Sequence, residues 1–231
     1  MVISSPSDLV GNGPRRGFLL GKRMATEPTI KYAMAFVDGQ NLFQHAMDAF
    51  GHYHPNYDVK KLHETVCAEH GWRPNLVRFY TGVPSKRKDA MWGGYWEKRL
   101  LHMKRAGIHT VTRPLRYRET TEKDEAGNLI TITTPQEKGI DVRLALDIVS
   151  TARSRQWDVA VIFSQDQDLA EVVQEVRAIS KEQDRWMEIC CPFPSGQNAT
   201  SKRGIDKTLW FQMDEAFYNN CLDPNDYRPK L

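Results

Sequence analysis

Two short runs, Tyr32–Val37 (YAMAFV) and Asp158–Ser164 (DVAVIFS), constrain this chain most, because each is apolar throughout its middle and each leads into an acid and then a helix-like segment. A strand with no polar face is buried on both sides, which is the usual condition of parallel strands covered by helices. The rest of the pattern agrees. Periodicity predicts helices over Asn41–Phe50, Asp58–His70, Ser85–Ala106 (interrupted at Gly93-Gly94), Gln136–Arg155, Leu169–Ser180 and roughly 201–219. Strands are expected at Asn75–Thr81, Ile108–Val111 and Arg185–Cys191. Strands alternating with helices give an α/β fold, a three-layer α/β/α sandwich with a mostly parallel central sheet. Leu115–Thr134 departs from the alternation. Its two β-rich arms flank Glu125-Ala126-Gly127-Asn128, which reads as a β-hairpin insertion at about 115–135. The expected organisation is a flexible extension over residues 1–30, one domain over 31–220 and a tail over 221–231.

Composition bounds the function. With 231 residues, 40% hydrophobic and 26% charged, the chain suffices for one α/β domain with a full core. No apolar run approaches the roughly 20 residues that span a bilayer, and the first residues lack a signal-peptide pattern, so no membrane partner is expected. Cys67, Cys190, Cys191 and Cys221 show neither CxxC spacing nor a disulfide framework, which suits reduced thiols and a cytoplasmic location. His52 and His54 flank Tyr53 without further ligand spacing, so zinc is not expected. Charge is uneven. Between Pro84 and Arg118, ten Lys and Arg stand against two acids, a local charge of +8 on a chain of net +3. Lys86, Arg87, Lys88, Lys98, Arg99, Lys104 and Arg105 are candidate phosphate contacts there. Trp92, Tyr95, Trp96 and Tyr117 either stack on unpaired bases or face the core.

Open parallel sheets build their sites at the carboxyl ends of strands. That rule selects Asp38 after the first strand and Asp166 after Asp158–Ser164. Alone, Asp38-Gly39 is also readable as a turn and Asn41 as a helix cap. On the helix Ile140–Arg155, Asp141 falls in one arc with Ala145, Ile148 and Ala152, while Asp147 falls opposite and pairs with Arg143 as a surface residue. A carboxylate on an apolar face needs a partner. Asp168 is divided between reaching the crevice and capping the next helix. Converging carboxylates repel unless a cation lies between them, and oxygen-only ligands suit Mg²⁺ or Mn²⁺, which activate water in phosphodiester hydrolysis.

FVDGQNL (Phe36–Leu42), EKGIDVRLALDIV (Glu137–Val149) and DVAVIFSQDQDL (Asp158–Leu169) together resemble the NYN domain, LabA-like branch, of the PIN-like nuclease superfamily. The resemblance implies a PIN-like sandwich and a metal-dependent ribonuclease site. It makes Asp38, Asp141 and Asp166 the metal-binding acids, Asp168 a fourth, and Asn41 a polar orienter. It also matches Asp147 to a commonly acidic position. Gln165 and Gln167 stand where Gly and Ser are usual and crowd the loop.

The leading expectation is a Mg²⁺- or Mn²⁺-dependent endoribonuclease acting on single-stranded or structured RNA. The alternative is a non-catalytic RNA-binding or regulatory protein with the same fold. A phosphatase of DxD type is disfavoured because Gln40 stands two residues after Asp38. The hairpin is expected to shape substrate access or to serve a homodimer or another protein partner.

Overall fold

The computed structural model describes residues 25–124 and 127–229. The extension expected over residues 1–30 falls largely outside the described residues, as do Glu125 and Ala126 of the hairpin turn and the last two residues of the tail. Six strands form the central sheet: β1 (Tyr32–Asp38), β2 (Arg73–Val83), β3 (His109–Pro114), β6 (Val159–Phe163), β7 (Glu188–Pro194) and β8 (Leu209–Met213). Their spatial order is β3-β2-β1-β6-β7-β8 and every pairing in the sheet is parallel. β4 (Arg116–Lys123) and β5 (Leu129–Gln136) form a separate antiparallel hairpin, as the two β-rich arms lead one to expect.

The pleat of β1 shows why the run YAMAFV had to be apolar on both faces. Ala33, Ala35 and Val37 pack into one core with Leu42 and Ala46 of α1 (Gly39–Phe50), Leu62 and Val66 of α2 (Val59–His70), and Tyr95 and Trp96 of α3 (Ala90–Arg105). Met34 and Phe36 point the other way, into a core with Leu144 and Ile148 of α4 (Ile140–Arg153) and Val172 and Val176 of α5 (Ala170–Glu182). Both sets are buried. The three layers follow from a period of two meeting helices on each side.

Several boundaries differ from the sequence reading. α3 starts at Ala90, capped by the Asp89 side chain, and runs through Gly93-Gly94 without a break. The long helix expected from Gln136 starts at Ile140, because Gln136 is still paired in β5. The helix expected over 201–219 is instead β8 followed by the short α6 (Glu215–Asn220). β8 pairs with β7 through residues whose exposed side chains resemble a surface helix in sequence. No described helix is long and apolar enough to cross a membrane.

Candidate active site

The strand order reverses between β1 and β6, where β1 leads to helices on one face and β6 to a helix on the other. Ligands in open α/β sheets bind at this switch point, beyond the strands' carboxyl ends. Register places Val37 opposite Phe163, so the next residues, Asp38 and Ser164, emerge side by side.

Asp38 is 8% exposed and is itself the N-cap of α1, accepting from the Asn41 amide at 3.1 Å. The cap is therefore Asp38 rather than Asn41. Ser164 Oγ donates to its other oxygen at 3.5 Å. Burial first, and then the charge of Asp166, push Asp38 up to about 6 against the hydrogen bonds that lower it. Asn41 is free to do something else. Its Oδ1 accepts from the Gln165 amide at 2.9 Å, tying the start of α1 to the loop after β6. That is an orienting role of the kind its motif implies.

Asp166 is half-buried and lies three residues beyond β6. One of its oxygens accepts from the Asp168 amide at 3.0 Å, capping a single 3-10 turn (Gln167–Leu169). The cap expected of Asp168 belongs to Asp166, and Asp168 is exposed. Gln165 and Gln167 do not merely crowd this loop. The Gln165 side-chain amide donates to the carbonyls of Ser201 and Arg203, at 3.4 and 2.8 Å, and that of Gln167 donates to Gly204 at 3.1 Å. The two glutamines fasten the 201–206 segment beside Asp166.

The acids of α4 are placed differently from the helical-wheel reading. Asp141 is exposed at the first turn, whereas Asp147 is buried. Asp147 accepts from Tyr80 Oη at 2.9 Å and pairs with Arg78 at 3.2 Å and Arg143 at 2.8 Å. It is a buried, fully partnered carboxylate, and the surface role expected of it is corrected. The phase error has a cause: Val142 and Leu146 are 57% and 58% exposed and misplace the apolar arc.

Glu137, the first residue of the run EKGID, has a role that no periodicity within that run announces. It lies between β5 and α4, accepts from the Gly82 amide of β2, and is pushed up to about 7 by burial and by the charges of Asp38 and Asp141. The contact depends on glycine, since a Cβ at Gly82 would lie 2.5 Å from the Glu137 carboxylate. Gly139, with φ of 80°, turns the chain in the left-handed region between Glu137 and Asp141. The only available signal was EKGID itself, an acid on either side of a glycine that must adopt positive φ.

Asp38 thus feels the charge of Asp166, and Glu137, held to β2, feels those of Asp38 and Asp141. Among the described residues, no three His, Cys, Asp or Glu side chains are gathered closely enough to hold one metal ion. The donor set still fits a hard cation in type. Mg²⁺ is bound through one or two carboxylates, with waters and substrate phosphate completing the shell. None of the groups that shift Asp38 is a cation.

The basic stretch divides. Lys86, Arg87 and Lys88 are exposed in the loop that leads into α3; Lys86 pairs with Glu97 at 2.5 Å, and Lys88 lines the same cavity as Gly39, the residue after Asp38. Lys98, Lys104 and Arg105 are exposed along α3, and the last two lie at its far end, about 24 Å away along a 16-residue helix. Arg99 is fully buried and is withdrawn from the phosphate-facing set. Its guanidinium donates to the carbonyls of Pro55 and Tyr57 and lies 4.7 Å from the Tyr57 ring centre. Tyr57 Oη in turn donates to the Gly39 carbonyl at 2.9 Å, so this buried cation braces the turn after Asp38. Tyr95 and Trp96 are buried, while Trp92 and Tyr117 are half-buried.

A family model described as "NYN domain" matches residues 32–183, which contain all four acids. No curated protein matches the chain. Among solved structures, a protein of unknown function from Vibrio parahaemolyticus is 14% identical, with a TM-score of 0.48 over 83% of this chain and 98% of that one. Ribokinase from Giardia lamblia is 15% identical, with a TM-score of 0.31 over 56% and 37% of the respective chains.

Proposed function

Because the chain belongs to the NYN domain family, a branch of the PIN-like nucleases, we propose that it is a metal-dependent endoribonuclease. The observation that carries the proposal is the placement of Asp38 and Asp166 at the carboxyl ends of adjacent parallel strands, Asp38 buried and held by the Asn41 amide, Asp166 held by the Asp168 amide, and neither paired with a cation among the described residues. Asp38 and Asp166 would hold Mg²⁺ or Mn²⁺, with Asp141 and Asp168 at the exposed rim. The bound ion would supply Lewis-acid polarisation of the phosphoryl oxygen and a water of lowered pKa.

The chain's own residues do the rest. Asn41 and Ser164 fix the two carboxylates relative to each other through the Gln165 amide and the 3.5 Å contact to Asp38. Glu137 holds β2 to the start of α4 and adds to the negative field that attracts the cation. Lys86, Arg87 and Lys88 draw in the RNA backbone from the α3 side, as exposed cations near a crevice do.

A second reading, a non-catalytic RNA binder, is compatible with the fact that, among the described residues, no three acids lie close enough to hold one metal ion. The two readings separate in one assay. A nuclease binds Mn²⁺ stoichiometrically in titration calorimetry and cleaves labelled RNA only with divalent metal. A binder retains its RNA in EDTA, cleaves nothing, and gives no Mn²⁺ heat that Asp38→Asn abolishes.

A further inference from the structure

A cavity of about 560 Å³ opens beside the acids, and nothing in the proposed chemistry uses it. Its floor includes Gly39, which follows Asp38, and Gly82, which holds Glu137. Trp92 of α3 and Tyr117 of β4 supply aromatic walls, and Thr133 of β5 closes the hairpin side. The size lies within the roughly 300–1,000 Å³ range of small-ligand sites, and the lining is mainly apolar with a few amides and hydroxyls, such as Gln40, Gln44 and Thr81.

The walls are held in place. Tyr117 Oη accepts from the Ser85 amide at 3.1 Å, and Lys88 Nζ stands 5.8 Å from the Tyr117 ring centre. The Asp89 carboxylate caps α3 at the Trp92 amide, at 2.9 Å. The hairpin is thus fastened to the basic loop, and the rings of Trp92 and Tyr117 both line the cavity.

Lys88, Trp92 and Tyr117 line one cavity together with Gly39, the residue after Asp38, and Gly82, the partner of Glu137, a combination that suits a ligand carrying both phosphate charge and an aromatic base. A phosphodiester strand places its charge against Lys86–Lys88 and its phosphate at the acids, leaving a base for the apolar cavity. A base paired within an A-form helix cannot enter, since its faces are stacked and its edge lies in a groove. We propose that this cavity receives an unpaired nucleobase next to the scissile phosphate, stacked against Trp92 and Tyr117. The proposal rests on the nuclease reading for the phosphate's position. It also gives the hairpin insertion a role, as one wall of the base site.

The test is fluorescence anisotropy of the full chain in EDTA with labelled oligouridine, with the same strand annealed to its complement, and with the same strand carrying abasic residues. Wild type is expected to bind the unpaired strand most tightly. Tyr117→Ala removes a wall, and Thr133→Trp fills the cavity from an exposed position of the hairpin without touching the core. Each should weaken unpaired-strand binding about tenfold, the scale of one lost base–aromatic stack, and Thr133→Trp, which leaves the Ser85–Tyr117 tie in place, should leave duplex and abasic binding unchanged. Unaltered unpaired-strand binding in Thr133→Trp, or abasic RNA bound as tightly as oligouridine by wild type, overturns the proposal. The readout does not depend on cleavage. Base-dependent binding with no cleavage in any metal would sink the nuclease reading and keep the pocket, whereas cleavage with base-independent binding would sink the pocket alone.

Discussion

Replacing Asp38 with Asn should stabilise the metal-free protein at neutral pH while destroying the site. Asn caps a helix about as well as Asp, so the bond to the Asn41 amide survives. What disappears is a buried negative charge. Asp38 is raised from 3.8 to about 6, first by burial and then by the charge of Asp166, and it is 8% exposed, so little solvent screening applies. A shift of about two units corresponds to about 3 kcal/mol. The sign follows from linkage. Below pH 3.8 both folded and unfolded chains carry a neutral Asp38, and the substitution gains nothing. Between 3.8 and about 6 the unfolded chain ionises first, so wild type loses stability relative to the variant as pH rises. Above about 6 the gap is constant. For a chain of this length it amounts to about 6–12 °C in Tm. Thermal unfolding followed by circular dichroism in EDTA, at pH 7.5 and at pH 3.5, reads it directly. Adding Mg²⁺ at pH 7.5 should raise the wild-type Tm and leave the variant's unchanged. Equal stabilities at pH 7.5, or a gap that persists at pH 3.5, would refute the reasoning.

Mn²⁺ affinity should fall as pH drops through about 7 and then about 6, where Glu137 and Asp38 take up protons, and Glu137→Gln should remove the upper step alone; calorimetry across pH 5 to 8 checks this. Arg99→Met should cost about 2–4 kcal/mol in denaturant unfolding, because the carbonyls of Pro55 and Tyr57 lose their buried donor, yet leave the salt dependence of RNA binding intact. Lys86→Ala with Arg87→Ala should do the reverse, lowering the salt slope by about 0.7 for each cation lost, with Tm unchanged. Gln165→Gly with Gln167→Ser should release the segment 201–206, seen as faster hydrogen exchange there, and a segment that exchanges as in wild type would contradict the tether.

These predictions separate what local pattern carries from what it cannot. The two-faced apolar strands β1 and β6 made a parallel sheet legible, and the strand-end rule then selected Asp38 and Asp166, which the fold brings to one switch point. Asp147 was misread because its partners Arg78 and Tyr80 come from β2, 67 to 69 residues earlier, and no periodicity within α4 reports them. Arg99 looked like surface charge because Lys98 beside it is surface charge. The aromatic and carbonyl cage that buries it is assembled from residues 55–57 and 95–96. Glu137 escaped notice because its environment is made by the backbone of Gly82, across the sheet. β8 was read as helix because an edge strand with exposed side chains has no apolar alternation to betray it.

The central claim is that Asp38 and Asp166 form a metal-dependent centre for RNA cleavage. The most direct test is a Mg²⁺ and Mn²⁺ titration of labelled RNA with wild type and with Asp166→Asn, purified in parallel and matched for thermal stability. The account predicts cleavage that saturates with metal, vanishes in EDTA and is absent from the variant. Cleavage by Asp166→Asn at the wild-type rate, or none by wild type at any metal concentration, would contradict it.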